Sequence, residues 1–198
     1  MSDPAPLQAD KKPPVKSIDR RNPAARRSAT KSARRRAREF ALQGLYEWLV
    51  AGGEAAAVEA HIREQEDFEK CDRAHFDALL HGGIEQAGAL DVLLSKHVDR
   101  KTTLLSPVEH AVLMIGVYEL QHCLEIPYRV AINEAVELAK SFGGTDGHRY
   151  VNGVLDKCAA ELRPDEARPS RPSGPSAPAA APPSESEPDV PRAPGDQA

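Results

Sequence analysis

The stretch Ser32–Val50, SARRRAREFALQGLYEWLV, decides how the rest of the chain is interpreted. Behind a run of arginines, small and apolar residues recur at intervals of three and four positions, which is the spacing of a helix with one buried face. The sequence therefore predicts an amphipathic first helix. Its buried stripe consists of Ala37, Ala41, Gly44, Leu45 and Trp48.

Four arginines crowd the start of this helix: Arg34, Arg35, Arg36 and Arg38. The N-terminal end of a helix carries the positive pole of its dipole, so each cation there costs on the order of a few tenths of a kcal/mol. A polyanion such as RNA offsets that cost and makes the cluster a binding surface. Two interpretations remain open at this point: an RNA-binding surface, or the end of a solvated basic tail.

The charge of the chain is divided unevenly. The 198 residues have a formal net charge of −4. Residues 1–38 hold 12 Lys and Arg against 3 Asp, a balance of +9, whereas the remainder holds 14 against 27, a balance of −13. A basic arm on an acidic body favours a local contact with nucleic acid over a protein that coats it.

Cysteine usage and hydropathy indicate the compartment. Cys71, Cys123 and Cys158 lie far apart with no CxxC pair, which indicates neither a disulfide framework nor a thiolate metal site. No apolar run approaches the length of a membrane span, and the N-terminus lacks the apolar core of a signal peptide. We expect a cytoplasmic protein without a metal or a cofactor.

Composition separates one domain from two tails. Residues 1–30 are rich in Pro, Lys, Arg, Ser and Ala and have no apolar periodicity, so we predict that they are disordered. Residues 164–198 contain ten prolines among Ser, Ala and Glu and cannot form a core. The folded domain is predicted to span residues 31–163.

Almost every segment of this domain has helical periodicity, and none alternates as a strand does. A second helix is predicted over residues 54–65, after Gly52-Gly53 ends the first. A long third helix is predicted from its cap at Asp72 to Leu94, with a break near Gly88.

The next start signal is Ser106-Pro107-Val108-Glu109, which has a serine cap, a proline at the first helical position and a capping-box glutamate. The helix that follows is apolar on nearly all sides from Ala111 to Leu120, so we predict that it is the centre of the bundle, with Glu119 and His122 near its rim. Two more helices follow: one ends at Gly143-Gly144, and the last begins at Thr145 or Asp146. The result is an all-α bundle of six or seven helices.

Three residues do not belong to the predicted core. Tyr46 lies away from the buried stripe of the first helix and either receives a protein partner or is covered by a neighbouring helix. Tyr150 follows His148 and Arg149 in a helical first turn, where a ring and a cation suit a base and a phosphate of single-stranded RNA. A surface tyrosine packed on the preceding loop explains Tyr150 equally well. Asp146 is a candidate N-cap that also repels phosphate, so Asp146→Asn is expected to bind RNA more tightly.

Signals for catalysis are weak. Cys71 and His75 are one helical turn apart, but no second pair completes a metal site. The glycine pairs at Gly82 and Gly143 lack the phosphate-loop pattern and its preceding strand. With no evident nucleophile and base, the sequence favours a protein that is not an enzyme.

Two motifs are similar to those of a known family. The pattern ARRRAREFALQGLYEW at 33–48, followed by IPYRVAINEAVELAKSFGGTDGHRYVNGVLDK at 126–157, resembles the NusB family of bacterial transcription antitermination factors. The resemblance covers about residues 33–163 and implies an all-α fold of two small helical bundles. It also implies binding to the single-stranded boxA element of nascent transcripts, including ribosomal RNA leaders. That binding occurs jointly with NusE, a small-subunit ribosomal protein, in a complex with RNA polymerase and other Nus factors.

The resemblance assigns roles to individual residues. The protein-partner surface includes Tyr46 and Glu109. The expected RNA contacts are Arg34, Arg35, Arg36, Arg38, Arg149 and Tyr150, with Asp146 tuning the affinity. Family members occur as monomers and as dimers, so the sequence does not decide whether this protein forms a homodimer.

Two rival functions are retained. The first is a helical protein–protein adaptor without specific RNA readout, whose RNA affinity comes only from the basic arm. The second is a fragment of an rRNA cytosine methyltransferase, in which a related helical domain precedes the catalytic domain. No strand-rich, glycine-loop domain follows Leu162, which disfavours the methyltransferase.

Overall fold

The computed structural model describes residues 23–167 of the chain, and the side chains of residue 30 and residues 32–167. This part of the chain consists of helices and connecting segments, which confirms the predicted all-α class. Two 3₁₀ turns lie at Phe68–Lys70 and Thr102–Leu104. The helices are α1 (Pro23–Ala51), α2 (Ala55–Arg63), α3 (Arg73–Glu85), α4 (Ala87–Ser95), α5 (Pro107–His122), α6 (Tyr128–Phe142), α7 (Gly147–Leu162) and the short α8 (Pro164–Ala167).

Helix α5 is the centre of the bundle, as predicted. It packs against α1 and α3 on one side and against α4, α6 and α7 on the other. Every residue from His110 to Val117 is buried. An apolar helix of this kind is stable in water only when neighbours cover all its faces, so α5 joins the group α1–α3 to the group α4–α7.

The predicted start of α5 is confirmed. The Ser106 hydroxyl accepts a hydrogen bond from the backbone N–H of Glu109 at 3.2 Å, and Pro107 occupies the first turn. The Glu109 carboxylate accepts a hydrogen bond from the same hydroxyl at 2.9 Å. These local contacts satisfy the free end of the helix and fix where α5 begins.

Close packing between α5 and α7 requires a glycine. A Cβ added to Gly116 would lie 2.6 Å from Cδ1 of Leu155, which is fully buried on α7. Atoms at that distance overlap, so the two helices reach this separation only because residue 116 has no side chain. Gly116 therefore sets the position of α7 against the core.

The predicted long third helix is divided near Gly88, as expected, with the joint two residues before that glycine. Helix α3 ends at Glu85 and α4 begins at Ala87, with Gln86 as the joint. The Gln86 side-chain oxygen lies 2.8 Å from Nε2 of His122 on α5, which holds the joint against the central helix. Gly88 instead lies inside α4, so its weak helix propensity does not decide where the chain turns.

The structure extends beyond both predicted ends of the domain. Helix α1 begins at Pro23, before the predicted boundary at residue 31. Residues 1–22 and 168–198, which carry most of the predicted disorder, lie outside the described residues.

Arg163, the last residue of the predicted domain, is tied to the end of α5. Its guanidinium is buried and donates hydrogen bonds to the backbone carbonyls of Glu119, Leu120, Cys123 and Ile126 at 2.6–3.0 Å. These carbonyls belong to the end of α5 and the segment that follows it, where backbone acceptors lack helical partners. The last residues of the domain thus close the end of its central helix.

Candidate nucleic-acid interface

The arginines at the start of α1 do not form one patch. Successive residues of a helix are rotated by about 100° because there are 3.6 residues per turn. Arg34 is half-buried, with Nε 3.5 Å from Oδ2 of Asp72 and Nη2 3.6 Å from Oε1 of Glu125. Arg35 points to another face and is exposed, with Nε 3.3 Å from Oε1 of Glu39.

Arg36 lies about another 100° around the helix from Arg35. A hydrogen bond from Lys70 lowers the pKa of the Asp67 carboxyl, and the charge of Arg36 contributes to the same lowering. Arg36 is half-buried. Of these three arginines, Arg35 is therefore the most accessible to a large ligand.

Arg38 lies inside the protein, which contradicts the prediction that it contacts RNA. Its side chain is 3% exposed, and Nε donates to Oε1 of Glu119 at 2.8 Å while Nη1 lies 3.6 Å from Oε2 of Glu134. Nε2 of His75 lies 2.8 Å from the same Glu119 oxygen. The prediction that Glu119 lies near the rim of α5 is also wrong, because Glu119 is fully buried. Arg38 is thus the partner of buried carboxylates.

Arg149 and Tyr150 lie in the first turn of α7, as predicted. The Arg149 side chain is 79% exposed. The Tyr150 hydroxyl donates to Oδ1 of Asp99 at 3.0 Å, and Cζ of Arg100 lies 5.4 Å from the centre of its ring. The Tyr150 side chain is half-buried. The hydrogen bond holds its ring in one orientation beside the Arg100 cation.

Asp99 and Arg100 belong to this site, although sequence reasoning missed both. Hydrogen bonds from Arg100 and from Tyr150 lower the pKa of the Asp99 carboxyl to about 2. Asp99 consequently stays charged at neutral pH and remains an acceptor for the tyrosine. The contact joins residues 51 positions apart, and no local pattern near Asp99 indicates it.

Asp146 occupies the N-cap position of α7 but does not cap it. Its side chain makes no hydrogen bond to the first turn of the helix, contrary to the prediction. The carboxylate instead lies 3.7 Å from Nη1 of Arg149, and both side chains are exposed. The Asp146 side chain therefore partly neutralises the positive charge of Arg149, and it makes no hydrogen bond that would cap the helix.

Arg35 and the start of α7 act on a common neighbour. A hydrogen bond from Lys140 lowers the pKa of the Glu137 carboxyl, and the charges of Arg35 and His148 add to the lowering. Glu137 belongs to α6, so Arg35 of α1 acts on a carboxylate of a second helix. Arg35 thus acts at the surface, whereas Arg38 is directed into the core.

Tyr46 borders an apolar groove. The residue is 43% exposed, and Val50 and Phe142 beside it are also exposed large apolar side chains. The groove has a volume of about 570 Å³. It runs between α1, α2, the start of α5 and the end of α6. Exposed apolar side chains grouped in a concave surface are typical of a binding site for another protein.

Glu109 does not line this groove. Val108, its neighbour on α5, borders the groove, whereas Glu109 borders a smaller polar cavity of about 300 Å³ together with Arg100, Asp146 and Tyr150. Of the two residues assigned to a protein partner, Tyr46 borders the groove, and Glu109 borders the same cavity as Asp146 and Tyr150.

Two further observations concern the described residues. They contain no group of three or more His, Cys, Asp or Glu side chains arranged to hold a metal ion. None of the helices between residues 23 and 167 is long and apolar enough to cross a membrane.

Comparison with known proteins identifies the chain. The model of the NusB family matches residues 35–160. The transcription antitermination protein NusB of Ralstonia nicotianae is 57% identical over 142 residues, which cover 72% of this chain and 92% of the relative. The protein of the same name from Bordetella pertussis is 56% identical over 146 residues, covering 72% and 95%. A solved structure of T. maritima NusB is similar, with a TM-score of 0.59, 29% identity, and coverage of 68% of this chain and 95% of that one.

These relatives and the helical fold define a transcription antitermination factor. The chain belongs to the NusB family, and the matched residues include Arg35, Arg149 and Tyr150. Its role is therefore in the antitermination complex.

The buried position of Arg38 leads to a prediction about stability. Arg38→Ala leaves the Glu119 carboxylate buried without its cation and is expected to lower the free energy of unfolding by about 3–5 kcal/mol. The matched variant Arg35→Ala removes an exposed pair and is expected to change it by at most about 1 kcal/mol. Urea denaturation followed by circular dichroism measures both. Equal losses for the two variants would contradict the assignment of Arg38 to the core.

Proposed function

We propose that this protein binds boxA-type single-stranded RNA in nascent transcripts, including ribosomal RNA leaders, together with NusE. In the cytoplasm it would join that RNA to RNA polymerase and other Nus factors by binding alone, without catalysis. The observation that carries the proposal is the first turn of α7, where the exposed Arg149 stands next to the oriented ring of Tyr150. Family membership supports the same proposal.

The site offers two kinds of contact. Arg35 and Arg149 are exposed cations that can hold phosphates, and phosphate contacts supply affinity without reading sequence. Tyr150 presents an aromatic ring for an unpaired base. Asp99 already fixes that ring through its hydroxyl at 3.0 Å, so docking a base requires little further ordering of the side chain.

The groove beside Tyr46 is proposed to receive NusE. Its exposed apolar side chains can be buried by a protein surface, and Glu109 in the first turn of α5 offers a carboxylate to a basic ribosomal protein. A second protein that also contacts the RNA enlarges the interface and contributes avidity. This protein alone is therefore expected to bind RNA more weakly and less specifically than it does together with NusE.

A helical adaptor without RNA readout is the alternative function, since the basic N-terminal arm alone could attract RNA. The two proposals differ in what deletion of residues 1–22 does, because this deletion removes five Lys and Arg but leaves all of α1. The adaptor loses RNA affinity with these cations and binds boxA-like and scrambled RNA equally. The boxA-binding protein keeps a preference for boxA-like RNA over scrambled RNA.

The RNA site predicts separable effects of Tyr150 and Arg149. Tyr150→Ala is expected to weaken binding of boxA-like RNA by about 5- to 150-fold, the equivalent of 1–3 kcal/mol for one stacked base. Tyr150→Phe keeps the ring and should lose far less. Arg149→Ala is expected to reduce the slope of log affinity against log salt by about 0.7, the value for one phosphate on a single strand.

Fluorescence anisotropy at two or more salt concentrations, with and without NusE, measures these effects. Thermal unfolding of each variant serves as the control for folding. Unchanged RNA affinity in folded Tyr150→Ala and Arg149→Ala proteins would remove the start of α7 from the interface.

Asp146 gives a prediction in the opposite direction. Asp146→Asn removes a carboxylate that lies 3.7 Å from Arg149 and repels phosphate, so RNA is expected to bind severalfold more tightly at low salt. Because the side chain makes no capping bond, the stability of the domain should change by less than about 1 kcal/mol. RNA titration at constant ionic strength measures the gain, and equal affinities would show that Asp146 does not act on the RNA.

The partner groove predicts a loss of NusE binding without a loss of RNA binding. Tyr46→Ala removes an exposed aromatic ring from the groove. It is expected to weaken the binding of NusE by more than about 1 kcal/mol, as substitutions of interface tyrosines commonly do. Val92→Ala, an exposed apolar residue on α4 outside the groove, is the matched control. Isothermal titration calorimetry measures both, and equal affinities for NusE would exclude the groove.

A further inference from the structure

A second cavity lies in the groove between α6 and α7, away from Tyr150. It has a volume of about 350 Å³ and is lined by Tyr128, Arg129, Ile132 and Asn133 of α6 and by Asn152 and Asp156 of α7. Ile132 is buried, while both asparagines and Arg129 are exposed. The cavity is thus lined mainly by polar side chains, with Ile132 and the Tyr128 ring as its apolar part.

An arginine lies over an aromatic ring at one end of this cavity. Cζ of Arg129 is 5.6 Å from the centre of the Tyr128 ring, and Nε of Arg129 donates to the Tyr128 hydroxyl at 3.0 Å. The guanidinium is thereby held beside the ring, and the Arg129 side chain remains exposed. RNA-binding proteins stack unpaired bases on arginine planes as well as on rings.

The walls carry amide groups that can read a base. Asn152 donates to Oδ2 of Asp156 at 2.9 Å, which orients its side chain and leaves the amide oxygen available. The Asn133 amide has no hydrogen-bond partner within residues 23–167. An asparagine amide has one donor and one acceptor side by side, and this pair matches the N6 and N7 edge of adenine.

The cavity continues the proposed RNA site along α7. Arg149, Asn152 and Asp156 are spaced i, i+3 and i+7, so they lie on one face of the helix. With a rise of 1.5 Å per residue, Asp156 is about 10 Å from Arg149 along the axis. A strand with a phosphate on the exposed Arg149 therefore has the α6–α7 groove as its next surface.

We propose that the α6–α7 groove is a second subsite for the same RNA strand, which accepts an unpaired adenine. Arg129 stacks on the base, and the Asn133 amide pairs with its N6 and N7 edge. The inference rests on the proposed RNA-binding function and adds a base preference to it. Arg129 and Arg149 mark the two ends of this part of the path.

Adenine analogues in the RNA test the subsite directly. Each adenine of a boxA-like RNA is replaced in turn by purine, which lacks the 6-amino group, and anisotropy measures binding to the full chain. At one position the replacement is expected to weaken binding to the natural sequence about fivefold or more. The same replacement should not change RNA binding by the Asn133→Ala variant, because this variant lacks the amide that contacts the amino group.

Three control measurements separate the outcomes. Gln121→Ala removes an exposed amide from α5, outside the groove, and should keep the full response to purine. Tyr150→Ala should weaken binding yet retain the purine effect, because it removes a different contact. Circular dichroism of Asn133→Ala confirms that the exposed substitution leaves the domain folded.

Two results would overturn the inference, and each differs from failure of the proposed function. If no adenine position responds to purine, or if Asn133→Ala responds as strongly as the natural chain, the groove is not an adenine subsite although RNA is still bound. If the natural chain binds boxA-like and scrambled RNA equally weakly with NusE present, the proposed function itself fails.

Discussion

The contact between Arg38 and Glu119 is the constraint on which the arrangement of the domain depends. It joins α1 to the central helix α5 in a region without access to water, with His75 of α3 on the same carboxylate oxygen and Glu134 of α6 within 3.6 Å of the arginine. Four helices therefore meet at one group of charges. Buried ion pairs add little net stability compared with apolar packing, but misplacing one leaves a charge unpaired. The pair thus selects one arrangement of these helices among those that bury similar apolar area.

The same contact decides what α1 presents to solvent. Arg38 is directed inward, whereas Arg35, three positions earlier, remains exposed beside Glu39, and Arg34 pairs with carboxylates of neighbouring segments. A run of similar residues in the sequence thereby acquires three different roles: core partner, surface ion pair and exposed cation.

The parts of the fold that depend on neighbours in sequence could be predicted. Apolar periodicity located the helices, and the hydrogen bond between Ser106 and Glu109, three residues apart, was visible as a motif. Contacts between distant residues were not predictable in this way. Arg38 and Glu119 are 81 positions apart, and Arg163 reaches carbonyls about 40 positions away. A pattern of residue types shows which face of a helix is apolar, but it does not show that a charged residue has a buried partner.

In the candidate site, too, the residues recognisable from the sequence differ from those that only the fold brings together. Arg149 and Tyr150 were recognisable because ring and cation are adjacent, whereas Asp99 and Arg100 join them only through folding. Asp146 was predicted as a cap from residue type, yet its carboxylate turns toward Arg149. Residue type thus gave the chemistry of the site, and long-range packing determined its geometry.

Gly116 has a consequence for how this protein can diverge. The missing side chain lets Leu155 approach the central helix, and the same rigid α7 carries Arg149 and Tyr150 at its other end. A bulkier residue at position 116 has to be accommodated by moving α7 or by repacking its core face, and a helix displaced in the interior carries its exterior side chains with it. A position hidden from every ligand therefore constrains ligand recognition, and inherited variation there should be limited by the demands of the surface as well as by those of the interior.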